Sequence, residues 1–469
     1  VELLLTLDRR GGAGATALHA QLEQQLRERI RDGRLLPGTR LPATRELARE
    51  LDVSRGVVVE AYAQLTAEGY LSTRRGAGTA VAAPPQAMRA PRAPLAVRTV
   101  PEDFHPGMPD LAGFPRDAWL RSLRAAVRAA PDAAFGYADP AGAPELRVAL
   151  ATYLARVRGV AADPERLLVT GGMTQGLALL ARALRAGGGR RIAVEDPGFF
   201  FHRWVLAHAG LEVVPVAVDE EGLRTDLLAG VEADAVLVTP AHQAPLGGVL
   251  GPARRAQLLA WAERRGAIVI EDDYDAEYRY DREPVGALQG LAPERVAYAG
   301  CASKALAPGL RLGWLALPGA LTAPVRREKA MDDLGISVLD QLAFADFLAR
   351  GELDRHLRRM RPRYRARRDA LVAALARELP AWRIGGIAAG VNSVALLPPK
   401  SDEQALLERA AEAGMVLHGL SQYRVAPGPP GLVLGFGNLG EPTIARGIRR
   451  LAGLYAELEA ERAAAPASR

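Results

Sequence analysis

Lys304 stands in the stretch Cys301-Ala-Ser303-Lys304-Ala-Leu-Ala-Pro308-Gly-Leu-Arg311, among small and apolar residues. A serine immediately precedes it and an arginine follows seven residues later. A lysine in such a setting loses hydration, so its amine deprotonates more readily and becomes a nucleophile able to form a Schiff base. Ser303 as a hydroxyl donor and Arg311 as a planar, forked cation suit a phosphate. An aldehyde that carries a phosphate is pyridoxal 5′-phosphate (PLP). A lone loop lysine is ordinarily a solvated charge, so the rest of the chain has to support this chemistry. The run Glu271-Asp272-Asp273-Tyr274-Asp275 directly follows the apolar residues 267–270. Carboxylates that end a buried strand need compensation. One carboxylate against a protonated pyridine nitrogen, with a tyrosine hydroxyl reaching the ring oxygen, supplies it. A metal is the competing reading, but no His or carboxylate cluster at a suitable spacing supports one.

Three other turns carry candidate groups. Gly171-Gly172-Met173-Thr174 joins a strand to a helix, where amides at the helix start bind phosphate. Phe199, after Glu195-Asp196-Pro197-Gly198, is placed to stack on a planar ring, although such a residue taken singly reads as core. Thr239-Pro-Ala-His242-Gln243-Ala-Pro245 is either a rigid ligand loop or a plain turn.

Strand ends must position these groups. Short apolar runs at 166–170, 192–194, 211–218, 235–238 and 267–270 alternate with helical stretches such as 175–185 and 254–264. This predicts an α/β domain with a mainly parallel sheet covered on both faces. Ligands of such sheets collect at the carboxyl ends of the strands.

The N-terminal part has a different character. Residues 1–100 hold 15 arginines, no lysine and ten carboxylates, so they carry +5 of the net charge of +6. That distribution points to a polyanion. Leu18, Leu22, Leu26 and Ile30 predict a helix over 17–32. A short helix at 44–51 with Thr44 as N-cap, and a second at 55–68 capped by Ser54, make a helix-turn-helix. Two β runs, 70–74 and 79–81, then enclose Arg75-Gly76-Ala77-Gly78 as a wing. Arg45, Ser54 and Arg55 at the helix starts, with Arg74, Arg75 and Gly76 on the wing, are the expected DNA contacts. Proline-rich residues 82–101 read as an extended linker between a DNA-binding domain (1–81) and an effector domain (102–469).

The totals narrow the setting. The single cysteine, Cys301, excludes an internal disulfide and suits a reducing compartment. No apolar run reaches the roughly 18 residues of a membrane span. No signal peptide is read at the start, so the cytoplasm is the expected location.

The N-terminal text Gly33-x-x-Leu36-Pro37-Gly38-x-Arg40-Leu41-Pro42-x-x-Arg45-Glu46-Leu47-Ala48, then Val53-Ser54-Arg55, closely resembles the GntR-type winged helix. It departs from that pattern at Val57, where the family usually has threonine. The remainder resembles fold-type-I PLP enzymes of the aspartate aminotransferase superfamily. The matching text includes Gly136-Tyr137-x-Asp139-Pro140, Thr239-Pro-x-His242-Gln243 and Ser303-Lys304-x-x-x-Pro308-x-x-Arg311. As a whole the chain resembles the MocR-type (GabR-type) regulators, a winged helix fused to an aminotransferase-like domain.

The resemblance implies that Lys304 is the Schiff-base lysine, Asp272 pairs with the pyridine nitrogen, Tyr274 faces the ring oxygen and Phe199 stacks on the ring. It implies that Met173, Thr174, Ser303 and Arg311 line the phosphate, that His242 belongs to the cofactor set, and that Tyr137 reaches the phosphate of a partner subunit. A head-to-tail homodimer on double-stranded operator DNA, responding to a small-molecule effector, follows from the same likeness. Cys301 stands where the pattern favours a hydroxyl residue, and Val433 where transaminases carry the arginine that grips the substrate carboxylate. The winged helix and the missing arginine favour a PLP-responsive regulator, similar to PdxR-kind regulators of vitamin B6 synthesis genes. The alternative is a working aminotransferase with an accessory DNA-binding domain.

Overall fold

Leucines spaced four apart put one apolar stripe on helix α1 (Leu18–Arg31), with Leu22 and Leu26 fully buried. They pack with Leu47 of α2 (Thr44–Glu50) and with Val58, Ala61 and Leu65 of α3 (Arg55–Ala67). An antiparallel hairpin of β1 (Leu71–Arg74) and β2 (Gly78–Val81) closes this winged helix-turn-helix unit. Ala43 and Ser54 occupy the N-cap positions of α2 and α3, and neither makes a side-chain capping bond. Thr44 is therefore the first helical residue rather than the expected cap.

The computed structural model describes residues 3, 5–8, 16–74, 78–82, 100, 102–137, 139–280, 285–386 and 388–464. The chain divides into two compact units, Val1–Arg98 and Thr99–Arg469. Among the described residues no helix is long and apolar enough to cross a membrane.

The larger unit begins with α4 (Arg116–Ala129) and α5 (Pro144–Arg158). Its main sheet contains β3 (Leu167–Thr170), β4 (Arg191–Asp196), β5 (Glu212–Asp219), β6 (Gly222–Leu223), β7 (Ala235–Val238), β8 (Ile268–Asp273), β9 (Val296–Cys301) and β10 (Gly313–Ala316). They lie in the order β3-β10-β9-β8-β7-β4-β5-β6. Five neighbours from β9 to β5 run parallel, while β10 is antiparallel to both β3 and β9. Along β4, Ile192 and Val194 belong to one buried cluster and Ala193 to another, so apolar cores cover both faces. That double burial is why these strands read as continuous apolar runs.

Helix α6 (Met173–Ala186) follows β3 and helix α7 (Phe200–His208) follows β4. A second, antiparallel sheet lies later in the chain: β11 (Arg383–Gly385), β12 (Asn392–Leu396), β13 (His418–Gly419) and β14 (Gly431–Gly435), in the order β11-β12-β14-β13. The arginine-rich stretch forms one helix, Glu352–Glu378, burying Leu353, Leu357, Met360 and Tyr364.

Candidate functional site

β9 ends at Cys301, and the chain turns at once into a single helical turn, Ala302–Ala305, that holds Lys304. Strand β10 then returns with Gly313 paired to both Cys301 and Thr170. This return places Arg311, itself at φ +50°, against the start of α6. A Cβ on Gly172, at φ +102°, would meet the Arg311 guanidinium at 2.8 Å. Arg311 makes no ion pair among the described residues. It lies beside the α6 N-terminus, whose first amides have no partner within the helix. Met173, Thr174, Ser303 and Arg311 all line one cavity of roughly 360 Å³. Cation, hydroxyls and helix start together form an anion cup.

Lys304 and Asp272 line the same cavity. The Lys304 amine has no hydrogen bond among the described residues, and Gly107 (φ +73°) leaves it room, since a Cβ there would meet Nζ at 2.7 Å.

The acidic run resolves into separate roles. Glu271 accepts the amides of Leu288 and Gln289 at 2.9 and 3.0 Å. Asp273 accepts from Arg158 at 2.6 Å and from the Tyr298 hydroxyl at 2.7 Å. Asp275 holds His242 Nδ1 at 2.9 Å. Only Asp272 of the four lacks a hydrogen-bond partner among the described residues; His202 Nε2 lies 3.7 Å from it. Burial, reinforced by Asp273, Asp275 and Glu195, pushes the Asp272 carboxyl up to about 8. Burial also lowers His202 to about 4, so its ring is neutral beside that carboxyl. Glu195, buried under Thr239 and Gln243, is raised to about 7.

Phe199 is the N-cap of α7, 39% exposed, and meets His202 edge-on at 4.9 Å. Tyr274 lines the cavity with its hydroxyl 3.0 Å from His242 Nδ1. Burial raises the Tyr274 hydroxyl well above the usual tyrosine value, keeping it protonated. Burial also raises the Cys301 thiol, which lines the cavity beside Ser303.

Two expected cofactor residues do not line this chain's own cavity. His242 is not a cavity-lining residue: it sits behind Tyr274, bonded to Asp275, and orients the tyrosine from there. Tyr137 is 96% exposed, outside its own chain's cavity. His202 was missed by sequence reasoning, although its spacing of three from Phe199 places both on one helical face. Val433 is fully buried in β14 and lines the cavity, where the sequence comparison expected no arginine.

In the N-terminal unit, Arg45, Ser54, Arg55 and Arg74 are all exposed, and Arg55 Nε reaches Thr44 Oγ1 at 3.5 Å. Arg75 and Gly76 lie outside the described residues.

Comparison with known proteins places both units. Residues 110–432 match the aminotransferase class I and II family, and residues 18–81 match the bacterial regulatory proteins of the gntR family. The multiple substrate aminotransferase of Thermococcus profundus superposes with a TM-score of 0.71 at 26% identity, covering 78% of this chain and 94% of that one. The Pyrococcus horikoshii kynurenine aminotransferase gives the same TM-score, 0.71, at 26% identity over 77% of this chain and 92% of that one. Fold and site thus define a GntR-type winged helix joined to an aminotransferase-class unit.

Full-length relatives have the same pairing. The probable rhizopine catabolism regulatory protein MocR of Rhizobium meliloti is 35% identical, covering 97% of both chains. The pyridoxine biosynthesis transcriptional regulator PdxR of Corynebacterium glutamicum is 35% identical over 92% of this chain and 94% of its own. An uncharacterized HTH-type transcriptional regulator of Bacillus subtilis, YhdI, is also 35% identical, over 94% of this chain and 97% of its own. The chain belongs to the MocR type of transcriptional regulators.

Proposed function

We propose that this regulator binds operator DNA as a homodimer and takes PLP, alone or with an amino compound, as its signal. The observation that carries the reading is one cavity holding a lysine amine, a carboxylate and an arginine that have, among the described residues, no hydrogen bond, no hydrogen-bond partner and no counter-ion respectively. These match the aldehyde, the pyridine nitrogen and the phosphate of PLP in kind. Arg311, with Ser303, Thr174 and the α6 amides, would hold the phosphate. Asp272 would face the ring nitrogen, where a cation would restore its charged form. Tyr274, fixed by His242 and Asp275, would offer its hydroxyl to the ring oxygen, and Phe199 would cover the ring. When bound, PLP supplies an aldehyde that captures amines and a chromophore that absorbs near the visible edge.

Arg45, Ser54, Arg55 and the wing arginines are the proposed DNA contacts, with residues 82–101 linking the two units. Ligand and DNA are coupled only if the ligand binds the two arrangements of the dimer with different affinity. Tyr137, exposed in the single chain, is the residue proposed to complete the partner's phosphate site.

An aminotransferase with an accessory DNA-binding domain is the second reading, favoured by the presence of Lys304, Asp272 and Tyr274 together. Val433 weighs against it. Without an arginine there, an amino acid loses a charge-assisted bidentate pair for its carboxylate. PLP as the effector, as at vitamin B6 synthesis genes, finds support in the likeness to PdxR. The test is an absorbance spectrum with added PLP, followed by operator titrations with and without it. An operator affinity that ignores PLP but responds to an amino acid would contradict PLP as the sole signal.

A further inference from the structure

The cavity has a second wall that none of the proposed PLP contacts uses. It comes from the small antiparallel sheet and the segment bonded to its edge. Val433 of β14 pairs with His418 of β13 on one side and with Val394 of β12 on the other. Asn392, two residues from Val394, therefore shares their face. His105 adds its ring edge-on to His418, with centroids 4.7 Å apart.

Some polar atoms of this wall have no partner among the described residues. The Asn392 side chain is 9% exposed, lines the cavity and has no hydrogen bond among the described residues. His418 Nδ1 is buried without a partner among the described residues, while the same ring shares a hydrogen bond with Gln422. His105 Nδ1 donates to the Pro106 carbonyl at 2.9 Å, since a carbonyl can only accept. Burial and the neighbouring His105 hold His418 below the ordinary histidine value.

Apart from Lys304 and Arg311, which the proposed function assigns to PLP, no lysine or arginine among the described residues lines this cavity. Arg203 donates to the carbonyls of Gly198, Gln422 and Tyr423. Arg424 has Asp196 and Glu403 as its charged neighbours and a buried Nε with no hydrogen bond among the described residues, and neither arginine lines the cavity. A carboxylate here would be desolvated against valine, which is costly. A hydroxyl or amide would instead satisfy donors and acceptors already in place.

We infer that the amine admitted beside PLP carries a neutral hydrogen-bonding group, a hydroxyl or carboxamide, at the position where transaminase substrates carry a carboxylate. The inference rests on the proposed function, because it requires PLP in the same cavity. The full-length protein with PLP added is titrated with L-alanine, L-alaninol and L-alaninamide, following the near-visible band and operator affinity. Alaninol and alaninamide are expected to bind on the order of tenfold or more tightly than alanine. Val433→Arg should shift the preference toward alanine. Should that variant not fold, His418→Phe with Asn392→Leu should bring alaninol down toward alanine. If alanine binds as tightly as the other two, or if none of the three alters either signal, the inference fails while the proposed function stands. Absence of any PLP band would remove both.

Discussion

Asp272 carries the clearest electrostatic consequence at the residue scale. Its folded value of about 8 lies far above its ordinary 3.8, and Glu195, Glu271 and Glu277 are raised to about 7 by the same burial. A raised carboxyl means that the folded PLP-free protein binds more protons than the unfolded chain, so stability falls as pH rises toward 8. Buried His202 and His356, both lowered to about 4, act in the opposite sense, but only below the ordinary histidine value of 6.5. The clean window therefore runs from pH 6.5 to about 8. Over it, urea midpoints of the PLP-free protein should fall, and Asp272→Asn should flatten the fall. An unchanged slope in the variant would remove Asp272 from this role.

The strand ends decide how the site assembles at the scale of elements. Gly172 allows Arg311 to lie against the start of α6, and Gly172→Ala would combine a strained backbone with a Cβ 2.8 Å from the guanidinium. The strain is worth roughly 1–3 kcal/mol, and moving Arg311 relieves only the contact. A folded protein with PLP affinity lowered by about tenfold or more is the expected result in a spectroscopic titration; unchanged affinity would mean that the cup is assembled differently. In the winged helix, Arg55 is exposed at the start of α3. Arg55→Ala should cost roughly 1–3 kcal/mol of operator affinity if it reads a base, measurable by fluorescence anisotropy, while PLP binding stays the same. Equal DNA affinity would exclude it.

Most of these elements were legible in the sequence because their signals are local. The four-residue leucine spacing pointed to α1, the short apolar runs to β3, β4, β5, β7 and β8, and Lys304, Asp272 and Arg311 stood in recognisable neighbourhoods. What the sequence hid is non-local. Nothing around Gly313–Ala316 announces that β10 runs antiparallel between β3 and β9, yet that return carries Arg311 to Gly172. His242 carried the right chemistry but stands one layer back, because sequence spacing does not reveal which polar group faces a cavity and which supports its neighbour. The wall of His105, Asn392 and His418 was equally invisible, since it is gathered from three separate stretches of the chain.

At the scale of the whole molecule, a single polypeptide joins a basic winged helix to an aminotransferase-class unit whose cavity is lined on one side by Val433. Relatives of equal identity are named for different regulatory roles, pyridoxine biosynthesis and rhizopine catabolism. The most direct measurement pairs wild type with Lys304→Ala in one experiment: the near-visible spectrum with PLP, then operator affinity with and without it. The account predicts that wild type gains the band and changes its operator affinity, while Lys304→Ala remains folded, shows no band and binds DNA indifferently to PLP. A band that survives in Lys304→Ala, or a PLP response identical in the two proteins, would contradict it.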